Sequence, residues 1–256
     1  LGTLGGPVSD PWGINNKGQV VGYTYSSGID YEQPFLYTPG VGMEPIGGLE
    51  NVPGQAHALN DSGMITGYSS ILPNGYAAFL YTEQGGTVHL GRFSGGLGSM
   101  GYAINGTGDL VGYSYTGGTG GDLYQHAFLY TSAQGMIDMG TLGGPESEAY
   151  GINNSGHIVG HSITQSGLDH AFLYTTEEGM VDLNSLMISG AEDWELQQAR
   201  GINSTGEIVG WGIHNGATRA FLLTTQVVVP EPVTSILFVT GLAAMFWVLR
   251  RSRNFF

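Results

Sequence analysis

One ten-residue pattern, [Gly/Ala]-[Ile/Leu]-Asn-x-x-Gly-x-x-x-Gly, occurs five times and limits the folds open to this chain. Its asparagines are Asn15, Asn60, Asn105, Asn153 and Asn203, spaced 45, 45, 48 and 50 residues apart. Glycine follows three places later (Gly18, Gly63, Gly108, Gly156, Gly206) and again at seven (Gly22, Gly67, Gly112, Gly160, Gly210). An Asn side chain can hydrogen-bond its own backbone in a tight turn, and a closing Gly can take positive φ. N-x-x-G is therefore read as a fixed four-residue corner.

The clearest copy is residues 149–183. It holds four short apolar runs, each closed by Gly, Asn or Ser and each too short for a helix, so all four read as strands. The third run recurs as Pro34-Phe35-Leu36-Tyr37, Ala78-Phe79-Leu80-Tyr81, Ala127-Phe128-Leu129-Tyr130, Ala171-Phe172-Leu173-Tyr174 and Ala220-Phe221-Leu222-Leu223. Aromatic residues there alternate with aliphatic ones, so both faces of this strand should be packed. A single unit cannot bury two faces, and the copies must pack on one another.

Four strands in a repeat of about 40–45 residues is the signature of a propeller blade. The expected fold is all-β, a β-propeller-like ring of five four-stranded repeats; an open β-repeat array is the alternative. No fourth run follows Thr225, whereas Leu1-Gly2-Thr3-Leu4 repeats the words of Met139-Gly140-Thr141-Leu142. Residues 1–4 are thus expected to supply the missing outer strand and latch the ring. The largest insertions, 115–124 and 186–198, should share one face, where binding is to be sought.

Composition narrows the partners. The formal charge is −14, and three of the seven basic residues lie in the last seven positions, so the repeats are more acidic still. Nucleic acid is excluded as a partner on electrostatic grounds. There is no cysteine, so neither disulfides nor thiolate metal sites enter.

The C-terminal stretch follows other rules. Pro230-Glu231-Pro232 precedes an uncharged apolar segment, 233–249, and a basic end, 250–256, carrying Arg250, Arg251 and Arg253. The segment reaches the lower limit of the roughly 17–25 residues that cross a bilayer as a helix. The arginines mark its cytoplasmic side, with Trp247 near the interface. Two regions result: a five-repeat domain, 1–229, and a sorting and anchor segment, 230–256, with one transmembrane helix.

Two resemblances attach to these words. The tail resembles a PEP-CTERM sorting signal, through Pro230, Glu231, Pro232, the single span and Arg250, Arg251 and Arg253. That resemblance implies export from a Gram-negative cell, an exosortase-type processing enzyme as partner, and a place in the inner membrane before processing and at the cell surface after it. The repeats resemble the HAF-repeat family of extracellular proteins, with His126-Ala127-Phe128 and His170-Ala171-Phe172 standing literally. The other units depart from the word at Gln33, Ala77 and Arg219. Neither resemblance implies an enzymatic activity or a cofactor.

Motifs for chemistry are sparse. Residues 96–101 spell G-x-G-x-x-G but precede no helix pattern, so the dinucleotide reading fails its context. His157 and His161 have the spacing of one strand face, though both replace ordinary strand residues of other units, and no metal is expected. Asp109 and Glu207 share a repeat position and could oppose each other across a channel as glycosidase carboxylates do. Solvated strand-end acids are the simpler reading. The aromatic residues Tyr25, Tyr31, Tyr76, Tyr115, Tyr124 and Trp194 are expected in exposed inter-strand loops, where they could stack on sugars. The expected function is an exported structural or interaction protein of the cell surface, associated with extracellular polysaccharide or matrix. A lectin-like propeller is second and a glycoside hydrolase third.

Overall fold

The computed structural model describes residues 1–28, 30–71, 75–117, 123–189, 193–226 and 246–249. They form five sheets: four are antiparallel meanders in which neighbours in sequence are neighbours in space, and the fifth adds one parallel pair to an antiparallel meander. The first sheet is β1 (Gly5–Ile14), β2 (Val20–Ser26), β3 (Gln33–Thr38) and β4 (Gly42–Pro45). The second is β5 (Gly54–Leu59), β6 (Ile65–Ser70), β7 (Tyr76–Thr82) and β8 (Gly86–His89). The third is β9 (Ser99–Ile104), β10 (Leu110–Gly117), β11 (Leu123–Thr131) and β12 (Gly135–Asp138). The fourth is β13 (Gly143–Ile152), β14 (Ile158–Thr164), β15 (Asp169–Thr175) and β16 (Gly179–Asp182). A 3₁₀ turn, Leu183–Leu186, leads to β17 (Met187–Ser189) and the fifth sheet, β18 (Trp194–Ile202), β19 (Ile208–His214) and β20 (Ala217–Gln226).

The N-x-x-G corner joins first strand to second in every sheet. Its geometry is the expected one: Asn60 Oδ1 accepts the backbone N–H groups of Ser62 and Met64, both at 3.0 Å. The closing glycines sit at φ from +74° to +90°. The same side chain also does something the spacing does not disclose. Its Nδ2 donates to the backbone carbonyl of the next unit's corner Asn. The chain of bonds runs Asn15 to Asn60 (3.1 Å), Asn60 to Asn105 (2.9 Å), Asn105 to Asn153 (3.4 Å) and Asn153 to Asn203 (3.0 Å).

The apolar core is divided among the junctions between sheets. Val21, Leu59, Ile65 and Phe79 fill the first junction, and Leu110 and Phe128 contribute to the second. Val111, Leu129, Ile158 and Phe172 fill the third, and Val159, Leu196, Ile208 and Phe221 the fourth. The Phe of the third strand is buried in all five sheets. First strands pack on first strands in succession, β1 on β5, β5 on β9, β9 on β13 and β13 on β18. The sheets thus fan out from a line of first strands.

Two expectations change. Residues 1–4 join no strand, and Leu1 is largely exposed, so they do not latch the fifth sheet. The fourth place in that sheet goes to β21 (Phe246–Leu249), antiparallel to β20, with β17 parallel on its outer side. These four residues close the stretch expected as a transmembrane helix, yet they are extended, because the unpaired edge of β20 offers them backbone hydrogen bonds. Among the described residues no helix is long and apolar enough to cross a membrane. The remainder of the expected span, 233–245, lies outside the described residues, as do Pro230, Glu231, Pro232, Arg250, Arg251 and Arg253.

Candidate functional site

Every first strand carries a β-bulge at the same repeat position. The pairing of β1 with β2 passes from Pro11↔Gly22 to Gly13↔Val21 and skips Trp12. Equivalent skips leave out His57, Tyr102, Tyr150 and Arg200 in β5, β9, β13 and β18. A bulge re-aims the residue it extrudes. The second invariant glycine is what makes room for it. A β-carbon on Gly22, Gly67, Gly112, Gly160 or Gly210 would stand 1.8–2.0 Å from the carbonyl oxygen of the opposed first strand.

The extruded side chains meet across the sheet junctions. The rings of Trp12 and His57 are 5.0 Å apart, those of His57 and Tyr102 5.4 Å, and those of Tyr102 and Tyr150 5.6 Å. The Arg200 guanidinium ends the series, 4.0 Å from the Tyr150 centroid. These separations are within the range of favourable aromatic and cation–π contacts. A second row from the second strands lies alongside: Tyr68 against His57 at 5.7 Å, Tyr113 against Tyr102 at 5.7 Å, and His161 stacked on Tyr150 at 5.5 Å. The result is a half-buried aromatic column along the line of first strands.

Polar groups border the column. Tyr150 Oη donates to Glu148 at 3.1 Å, and Gln55 Nε2 donates to Glu32 at 2.6 Å. Asp169 joins the His161 ring at 2.6 Å and accepts from Gln198 at 3.2 Å. The other ring nitrogen of His161 is buried with no partner among the described residues. Burial, with the Glu32 charge adding, pushes the Tyr68 hydroxyl up to about 12. Burial first and Glu148 second hold the Tyr102 and Tyr150 hydroxyls higher still, so all remain protonated donors in neutral solution. Burial also raises the Glu148 carboxyl.

The residues expected from sequence sit differently. Tyr25, Tyr76, Tyr115, Tyr124 and Trp194 are half-buried in strands; of the six aromatics, only Tyr31 lies in a loop. Tyr76 and Tyr115 flank the column, 5.5 Å from Tyr68 and 5.6 Å from Tyr113. Tyr31 is tied to the Asn51 carbonyl at 2.7 Å, and Trp194 stacks on His214 at 4.6 Å. Asp109 and Glu207 both stand at N-x-x-G corners. Each is bound by its own corner, Asp109 by Thr107 at 2.8 Å and Glu207 by Asn203 at 2.6 Å. His157 belongs to the corner, and only His161 lies in β14. Among the described residues no cluster of three or more His, Cys, Asp or Glu is arranged to hold a metal. The word G-x-G-x-x-G runs into β9 and opens no helix.

The His of the His-Ala-Phe word has a separate use. His126 and His170 pair with Asp138 and Asp182 on the adjacent fourth strand, at 2.9 and 2.7 Å. His170 and Asp182 also line an open surface groove with Leu142, Thr164, Gln165 and Ser166. Sequence reasoning missed the column because its five positions hold Trp, His, Tyr, Tyr and Arg. The one signal for it was their fixed place, three residues before each corner Asn.

Residues 50–245 match a family described as a protein of unknown function (DUF3466). The chain belongs to that family. The part of this DUF3466 chain that matches contains four of the five column residues, His57, Tyr102, Tyr150 and Arg200. No curated protein matches the chain.

Proposed function

We propose that the protein is an exported cell-surface module that binds extracellular polysaccharide along the aromatic column and carries out no catalysis. Five propeller-like blades form its rigid body. Residues 233–249 hold it in the membrane until an exosortase-type enzyme acts at Pro230-Glu231-Pro232. In that setting Phe246–Leu249 leaves β20 to complete the span.

The observation that carries the binding reading is the bulge repeated in all five first strands. It spends strand regularity at each repeat to bring one ring-bearing or cationic side chain to a common line. Rings suit the C–H faces of sugars, and the bordering Glu32, Gln55, Glu148 and Gln198 suit their hydroxyls. With a formal charge of −14, the surface favours an uncharged polysaccharide over a polyanion. The corner-bound Asp109 and Glu207 give a glycosidase reading no support.

An array of uncharged bacterial polysaccharides tests this. The wild-type protein should bind, and Tyr102→Ala or Tyr150→Ala should weaken binding by about tenfold or more, as loss of a central aromatic anchor does. An array without hits, or binding indifferent to both substitutions, contradicts it. For the anchor, deleting 230–256 should release a folded protein into the medium; a truncated protein retained in the membrane speaks against it.

A further inference from the structure

The imidazole of His57 is buried between two hydrogen-bond acceptors. Its Nδ1 lies 2.8 Å from the Gly101 carbonyl on β9, and its Nε2 lies 3.1 Å from Gln55 Oε1. The Gln55 amide does not present its NH₂ to the ring, because Gln55 Nε2 donates to Glu32 at 2.6 Å and a carboxylate only accepts. A neutral imidazole has one N–H, so it can serve Gly101 or Gln55 and not both. The imidazolium has two, and it satisfies every member of the series Gly101, His57, Gln55, Glu32.

The junction of the fourth and fifth sheets contains the same series with a permanent cation. Arg200 stands where His57 stands, three residues before the corner Asn, and its guanidinium donates to Gln198 Oε1. Gln198 holds the place of Gln55, and its Nε2 donates to Asp169 at 3.2 Å. Asp169 and Glu32 each lie three residues before the third-strand Phe. Acid, amide and cation thus recur in one order at two junctions. Arg200 keeps its charge at any ordinary pH, whereas a histidine takes its charge from solution.

The surroundings of His57 include both signs of influence. The rings of Trp12 on β1, Tyr102 on β9 and Tyr68 on β6 stand 5.0, 5.4 and 5.7 Å from it, within reach of a cation–π contact. Both tyrosines stay protonated in neutral solution, and Asp10 on β1 sits with Tyr23 on β2. Glu32, just ahead of β3, supplies negative charge at the far end of the amide. Burial opposes the charge and pushes the His57 value below the ordinary one, while the Gly101 carbonyl pushes it back up.

We propose that His57 is a proton-operated clasp joining the first three sheets, closed in acid and open toward neutral pH. With the proton on, His57 donates to Gly101 of the third sheet and to Gln55 of the second, and Gln55 holds Glu32 of the first. With the proton off, Nδ1–H keeps Gly101 and Nε2 becomes an acceptor. The Gln55 amide then turns its NH₂ to the ring and its oxygen to Glu32, and the tie to the first sheet is lost. The proton is exchanged with water, and no other bond changes. This clasp is independent of the polysaccharide reading.

Long-range proton–nitrogen NMR of the full chain in a mild non-ionic detergent, labelled with nitrogen-15 at histidine and glutamine, tests it. The His57 signals are assigned by their loss in His57→Gln. As pH falls, both His57 ring nitrogens should move to imidazolium positions, and the Gln55 side-chain amide should move with the same midpoint. Gln55→Leu removes the acceptor at Nε2 and should lower the proton affinity of His57 about tenfold. If that variant fails to fold by circular dichroism, Glu32→Gln replaces it. There the neutral partner lets Gln55 turn at no electrostatic cost, and the His57 midpoint should fall likewise. A His57 ring that stays neutral until the protein unfolds overturns the proposal. So does a Gln55 amide indifferent to the His57 midpoint, or a midpoint that the folded variant leaves unmoved.

Discussion

Gly160 faces the backbone of Glu148 so closely that a β-carbon on the glycine would stand 1.9 Å from the Glu148 carbonyl oxygen. The approach belongs to the bulge that extrudes Tyr150, so the glycine and the column are two sides of one feature. The obstacle is backbone, which cannot swing aside as a side chain can.

Gly160→Ala should therefore cost about 3 kcal/mol or more, above the usual overpacking penalty of about 1–3 kcal/mol for a single methyl. Gly156→Ala makes the comparison, since that glycine has φ +78° but nothing near its β position. It should lose only about 1–2 kcal/mol, the cost of a left-handed residue. Urea unfolding of both variants gives the order, and a Gly160→Ala protein as stable as Gly156→Ala would contradict the steric account.

The corner asparagines carry two loads that one substitution can separate. Asn60→Asp keeps the Oδ1 acceptor for Ser62 and Met64 but loses the donor to Asn105. Destabilisation of about 1–3 kcal/mol is expected, the range for a buried group left without its partner. Wild-type stability in thermal unfolding would show that the link between units contributes nothing.

The His126–Asp138 pair predicts a pH window. Hydrogen bonding to Asp138 raises the His126 value above the ordinary one. Burial pushes the Asp138 carboxyl up, but His126 and the Gly140 N–H outweigh it and hold it below the ordinary range. The histidine contribution is full below its unfolded value and fades as pH rises through the raised one. The aspartate contribution is present above its unfolded value and fades as pH falls through the depressed one. His126→Gln should thus melt below wild type most clearly between about pH 4 and 6.5, with the gap closing at higher pH. A gap constant from pH 4 to 9 would assign the loss to packing.

Much of this architecture is written in local chemistry. The corner was legible because Asn and Gly each have a short-range reason to be there, and Gly18 and Gly63 show it in their φ angles of 74° and 81°. The Phe of the third strand was legible because alternation marks a packed strand. The function of Gly160 was not, since the atom that forbids a side chain there lies on another strand. Trp12, His57, Tyr102, Tyr150 and Arg200 share a place and a role but no residue type, so no word announced them. The fifth sheet misled for a related reason: Phe246–Leu249 has the apolar composition of a span, and only the free edge of β20 reveals its second use.

Binding of one array-identified polysaccharide to Tyr102→Ala and to Tyr31→Ala, measured side by side by isothermal titration, tests the central claim most directly. Tyr102 lies mid-column between His57 and Tyr150, whereas Tyr31 stands on a loop and bonds Asn51. Affinity should fall about tenfold or more for Tyr102→Ala and stay near wild type for Tyr31→Ala. The reverse order would move the binding surface to the loops and leave the column a structural spine.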